Sequence, residues 1–194
     1  STDLHTTLPC IGDIGYNYSS SSPSITKVLD DIDGQARSTT PDLGCDEFTT
    51  SSFDVATQAM TSPTGSVFAL ATPYTVSVRV RNNGSTTITA LDMNYSVNGG
   101  AVNSQSFTGL SLLPCDTAIL TFTTSLTLTS SGSNVLRIFN GLINTSNADG
   151  NNTNDTLLIN LCTPYSGTFS INKNLPFSTT NFTSVTQAVN SLYS

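Results

Sequence analysis

The sequence predicts an all-β chain centred on an immunoglobulin-like antiparallel β-sandwich. Three observations predict it. Apolar and polar residues alternate with period two again and again between about Phe53 and Thr163, the pattern of half-buried strands. Turn signals such as Asn82-Asn83-Gly84 and Asn98-Gly99-Gly100 separate the runs, and no convincing amphipathic helix lies between them. Strands without intervening helices favour two packed antiparallel sheets over a βαβ arrangement.

In chain order, residues 1–48 are poor in alternation and rich in turn residues, yet they hold Ile11, Ile14, Ile25, Val28, Leu29, Ile32, Leu43 and Phe48, too many apolar groups for a free tail. Val76, Val78 and Val80 then alternate with Ser77, Arg79 and Arg81 up to the Asn82-Asn83-Gly84 stop. Leu91, Met93, Tyr95 and Val97 form the next inward row, closed by a tight hairpin turn at Asn98-Gly99-Gly100. Leu112-Leu113-Pro114 marks a corner, because proline cannot donate to a central ladder. Further strands are predicted at Ala118 to Thr123, Val135 to Phe139 and Thr156 to Leu161, the last with Leu157, Ile159 and Leu161 inward. Beyond a short strand at Gly167 to Ile171, the spacing of Phe182, Val185, Ala188, Val189 and Leu192 predicts a helix capped by Thr180 or Asn181, with nothing sequence-local to cover its stripe.

Composition excludes several functions. Six Lys and Arg against thirteen Asp and Glu leave a net charge of −7 and no basic stripe for a nucleic acid backbone or an anionic lipid surface. No run approaches the roughly 18 apolar residues of a membrane span. No charged-then-apolar leader begins at Ser1, so either a signal has been removed or, as we expect, the chain is an internal excerpt of a longer one. One histidine, His5, and four widely spaced cysteines leave no conventional zinc site. No nucleophile elbow, Walker loop or H-E-x-x-H run is present, and the chain is expected not to be an enzyme. The densest acids, Asp30, Asp31, Asp33, Asp46 and Glu47, read as turn formers partly neutralised by Arg37 rather than as a catalytic pair. No cofactor is expected apart from calcium, for which Asp31 and Asp33, and Asn147, Asp149, Asn151 and Asp155 in a second loop, are candidate ligands, as extracellular calcium tolerates weak oxygen sites. Solvated or Asx-turn loops are the alternative.

Three stretches carry a resemblance. Asp31-Ile32-Asp33-Gly34-Gln35-Ala36-Arg37 followed by Pro41-Asp42-Leu43-Gly44-Cys45-Asp46-Glu47-Phe48 resembles the closing segment of a right-handed parallel β-helix, with Cys45 where a small residue is usual. Phe53-Asp54-Val55 through Val78-Arg79-Val80-Arg81-Asn82-Asn83-Gly84 to Asn151-Asn152-Thr153-Asn154-Asp155-Thr156 is similar to the Ig-like adhesion-related domains called CARDB. Gly167-Thr168-Phe169-Ser170-Ile171 with Phe182-Thr183-Ser184-Val185-Thr186-Gln187-Ala188-Val189 looks like the opening strand and capping helix of another β-helix. Together they resemble the giant modular surface adhesins secreted by Bacteroidetes-type bacteria.

That resemblance implies three units: residues 1–48 closing one β-helix, 53–163 a CARDB-like sandwich, and 164–194 opening the next. It implies a structural or adhesive segment at the cell surface, acting as a rigid spacer whose partners are adjoining modules or neighbouring copies in a fibre, with surface glycans as further partners. Asp116-Thr117-Ala118 and Asp155-Thr156-Leu157 resemble the O-glycosylation pattern of such proteins and nominate Thr117 and Thr156. Of the three pairings of Cys10, Cys45, Cys115 and Cys162, Cys10–Cys45 and Cys115–Cys162 are preferred because each would lie within one unit. Four unpaired buried thiols are the alternative. The competing functional readings are a carbohydrate-binding module, which the absence of Trp disfavours, and a fragment of a β-helical polysaccharide-degrading enzyme.

Overall fold

The computed structural model describes residues 12, 29–38, 40–65, 67–164, 168–178 and 180–191. Alternating burial creates two facing sheets. β1 (Val55–Ser62), β3 (Ser77–Asn82) and β6 (Thr117–Thr121) form one antiparallel sheet in the order β1-β3-β6. β4 (Ile88–Val97), β5 (Asn103–Leu112), β8 (Gly132–Ile143) and β9 (Thr156–Thr163) form the other in the order β5-β4-β8-β9. A short ladder of β2 (Pro73–Tyr74) with β7 (Leu126–Thr127) borders them. The chain crosses between sheets after β3, after β5 and again between β6 and β8. This three-on-four order with crossovers is the Ig-like architecture the alternation predicted.

Val76, Val78, Val80, Leu120 and Phe122 on one side meet Ile88, Leu91, Met93, Tyr95, Leu136 and Ile138 on the other, all buried. Phe122 meets two rings nearly at right angles, Tyr95 at 5.0 Å and Phe107 at 5.7 Å between centroids. The Tyr95 hydroxyl escapes burial without a partner by donating to Thr124 O at 3.1 Å. Asn98 (φ 51°) and Gly99 (φ 69°) make the β4–β5 turn, as expected from their tolerance of left-handed backbone.

Three expectations need correction. The helix α1 (Val185–Ser191) begins after Asn181 and Phe182, which instead form β11 (Asn181–Phe182), paired in parallel with β10 (Ser170–Ile171). Its N-cap is Ser184, whose Oγ accepts the Gln187 N–H at 3.1 Å while the Gln187 side chain reaches back to Thr183 N, a variant of the capping box. Leu192 lies outside the described residues. β5 was not anticipated as a strand. Finally, Cys115 is disulfide-bonded, but Cys162 is not its partner. Cys115 N donates to Asn82 O beside Leu112, which pairs with Ile88. Cys162 lies opposite Ser133, and Leu91, three residues from Ile88, lies opposite Ile143. The two cysteines thus sit at opposite ends of β8, a span of about 30 Å at ~3.3 Å per residue, far beyond disulfide reach. The Cys10–Cys45 pairing involves Cys10, outside the described residues, as does His5.

Candidate functional site at the carboxylate-rich end of the sandwich

The lead-in to β1, residues 51–54, is stitched to the sandwich by its backbone. Ser85 N and Thr86 N donate to Ser51 O and Ser52 O, both at 3.0 Å, Asn83 N and Gly84 N donate to Asp54 O, and Gly150 N donates to Phe53 O at 2.8 Å. Two glycines permit this closeness. A Cβ on Gly84 would stand 2.7 Å from Ser52 O and 2.8 Å from Asp54 N, and one on Gly150 would collide with the Ser51 side chain and lie 3.0 Å from Phe53 O. The lead-in therefore lies clamped between the turn after β3 and the loop before β9.

Three carboxylates gather at this clamp. Asp149 Oδ2 accepts Val55 N at 2.7 Å and Asn140 Nδ2 at 2.8 Å, and Asp149 Oδ1 accepts Asn151 N at 2.9 Å. Asn140 Nδ2 also lies 3.3 Å from Asp155 Oδ1 and 3.1 Å from Val55 O. Asp54 Oδ1 accepts Asn154 Nδ2 at 2.9 Å, and Thr57 N donates to Asn154 O. The resolved donors to these carboxylates are neutral amides. Desolvation, the negative charge of Asp149 and a carboxyl–carboxylate hydrogen bond with it together raise Asp155 to about 6. Asp54 is raised too, first by desolvation and then by Asp149.

Of the loop residues nominated from sequence, Asp149 and Asp155 meet here. Asn151 joins them: its side chain hydrogen-bonds the Asp54 carboxylate, while its Oδ1 accepts Thr153 N and Oγ1; Asn147 instead serves its own turn, Nδ2 donating to Ile143 O. Asp54, roughly a hundred residues away in sequence, was missed because only the pairing of β1 beside β3 brings it to the loop. Among the described residues no group of three or more His, Cys, Asp or Glu is arranged to hold a metal ion.

The Asp31 to Phe48 segment is a separate, self-locking turn. Asp31 Oδ1 accepts Asp33 N at 2.9 Å and Gln35 N at 2.7 Å, and Oδ2 accepts Glu47 N at 3.0 Å. Desolvation opposes its charge, but these three N–H groups and Arg37 outweigh it and hold the carboxyl below its ordinary value. Arg37 donates to Gly44 O at 2.7 Å and to Asp42 O, and pairs with Glu47 at 3.5 Å. Both Asp31 oxygens thus accept backbone N–H groups, the geometry of a capping Asx turn. Thr117 and Thr156 are exposed at the first positions of β6 and β9.

A shallow polar depression lies on the outer face of the four-stranded sheet, lined by Asp92, Asn94, Ser104, Gln105, Ser106, Gly141 and Leu142. Its polar groups largely satisfy one another, Ser106 donating to Asp92 and Ser104 to Asn94.

No family model matches the chain. No curated protein matches it either. Among solved structures it is similar to a CARDB domain from Pyrococcus furiosus crystallised with di-metal ions, at 19% identity and a TM-score of 0.45, covering 60% of this chain and 94% of that one. A solution structure of the same domain gives 18% identity and 0.42, over 58% and 94% of the two chains. A β-glucosidase from Listeria innocua gives 12% and 0.33, over 64% of this chain and 18% of the enzyme. The Ig-like assignment here rests on the strand order. No helix among the described residues is long and apolar enough to cross a membrane.

Proposed function

We propose that the chain is a non-enzymatic, rigid linking segment of a large extracellular surface protein or filament, holding its flanking units in fixed orientation. The observation that supports this best is the clamped lead-in: a joint with a main-chain hydrogen bond at nearly every residue from Ser51 to Val55 behaves as a stiff coupling, not as a tether. The β4–β8 ladder, continuous from Met93 to Val97 beyond a register shift after Leu91, suits a unit that carries load along its strands. In this reading residues 1–48 close a β-helix and 164–194 open another. Thr117 and Thr156, exposed beside Asp116 and Asp155, are O-glycosylated, and the glycans help to keep the stalk dissolved. Electron microscopy of the protein in its native source should show long thin fibres or stalks, and intact mass should exceed the polypeptide by glycan increments. Compact isolated particles would overturn the reading.

The carbohydrate-binding alternative has one observation behind it, the polar depression around Asp92 and Gly141. It lacks the aromatic platform on which sugar rings stack. A glycan array separates the two: a linking segment gives no signal.

A further inference from the structure

We propose that the sandwich is loaded in shear: tension between its flanking segments enters at one end of the strands and leaves at the other, so its ladders rupture together and do not open pair by pair. This rests on the linking role above and names the force that the fold resists. Entry is at the carboxylate-rich end. The lead-in is clamped there beside Gly84 and Gly150, and Val55, the first residue of β1, stands opposite Asn82. Cys115 stands at the same end, its N–H on Asn82 O, so its disulfide delivers a covalent pull to that end as well. β9 starts there too, just after Asn154, whose O accepts Thr57 N, and it runs to Thr163 opposite Gly132, the first residue of β8. Eight residues at ~3.3 Å each put the exit about 25 Å from the entry along the strand axis.

The exit is held as firmly as the entry. Thr163 is 4% exposed, and its Oγ1 donates to Ser130 O at 2.7 Å. Asn134, buried beside it, spans the same corner, its Nδ2 lying 3.0 Å from Ser130 O and 3.2 Å from Gly132 O. On the other side of β9, Phe68 N donates to Cys162 O at 2.8 Å, and Val67 bridges Cys162 in parallel. Both β1 and β9 thus leave the carboxylate-rich end and run the same way, with tension applied at the start of one and at the end of the other. Ladder bonds between antiparallel strands lie across the strand axis, so a pull along that axis loads the β8–β9 ladder, from Gly132–Thr163 to Phe139–Thr156, all at once. A pull that separates the two strands from one end meets the same bonds one rung at a time.

The test is optical-tweezers unfolding of the 194-residue chain held in two directions by azide-bearing side chains at exposed positions. Handles at Thr49 and Pro164 pull entry against exit, whereas handles at Ser131 and Pro164 pull the β8–β9 pair apart from the end where both strands have their outer termini. Both labelled chains should keep the thermal midpoint of the unaltered one, since the handles replace only exposed residues. At one loading rate, the Thr49–Pro164 geometry should rupture at a force at least about twofold above the Ser131–Pro164 geometry, because forced rupture reads the barrier to unfolding and here a whole ladder must break together. It should do so in one step, releasing roughly 115 residues and a length on the order of 350–400 Å. Equal forces in the two directions, or entry-to-exit extension in several small low-force steps, would overturn the proposal. Equal forces together with fibres in the native source would leave the linking role standing without the shear; a directional difference together with compact particles would leave the shear standing without the role.

Discussion

Asp155 and Asp31 respond to pH with opposite sign. Asp155 is raised to about 6 in the fold, so it contributes stability that is fully present below its unfolded value and is lost as pH rises through about 6. Asp31 is lowered, so its contribution is present above the ordinary carboxylate value and is lost as pH falls below it. Asp155→Asn should therefore raise the thermal midpoint at about pH 8 and leave it nearly unchanged near pH 4. A midpoint that fell equally at both pH values would show that the charge is not what strains this cluster. Asn82 is a different case. It has no exposed surface; Nδ2 donates to Thr86 O and Leu112 O, and Oδ1 accepts Gly84 N. Asn82→Ala takes a partner from Thr86 O, Leu112 O and Gly84 N, of which Gly84 N keeps Asp54 O, and should cost about 2–3 kcal/mol in urea unfolding. The sequence marked Asn82 as the end of a strand, and that was visible because Asn-Asn-Gly is a turn signal. Its role as a bracket between β3 and β5 was not, since both carbonyls it holds are defined by tertiary pairing.

Among the elements, those buried on one face were the legible ones. β3, β4 and β9 carry clean alternating rows, and their inward residues fell where the spacing placed them. β5 escaped notice because it is an edge strand whose residues are mostly Asn, Ser, Gln and Thr, and because Gly109, at φ 72°, breaks its register beside a shift in the pairing of β4 with β5. β8 runs longer than expected, since Asn140 and Gly141 continue the ladder where composition alone reads a turn. The clamp was illegible for a similar reason. Gly84 and Gly150 look like ordinary loop glycines, and only the fold shows that each faces the backbone of residues 51–54. Gly150→Val should push the lead-in away and expose the peptide bonds near Ser51 to limited proteolysis, with a thermal midpoint lowered by several degrees. Leu136→Ala, in the centre of the buried rows, should cost about 2–5 kcal/mol through the cavity it leaves while the joint stays protected up to the unfolding transition.

For the whole molecule, the linking role requires that the sandwich be coupled stiffly to the segment before it. The resemblance pointed to three units in tandem, and the strand order bears out the Ig-like middle one. The physical content of a linker lies in its hydrogen bonds, and here those bonds run from residues 51–55 into two separate loops of the sandwich. Amide hydrogen exchange reads them directly. The amides of Ser85, Thr86, Gly150 and Val55 should exchange within about tenfold of core amides such as that of Val78, because breaking them requires opening the sandwich end. Exchange at the rate of an unstructured peptide at these four positions, with Val78 still protected, would show a flexible tether and contradict the account.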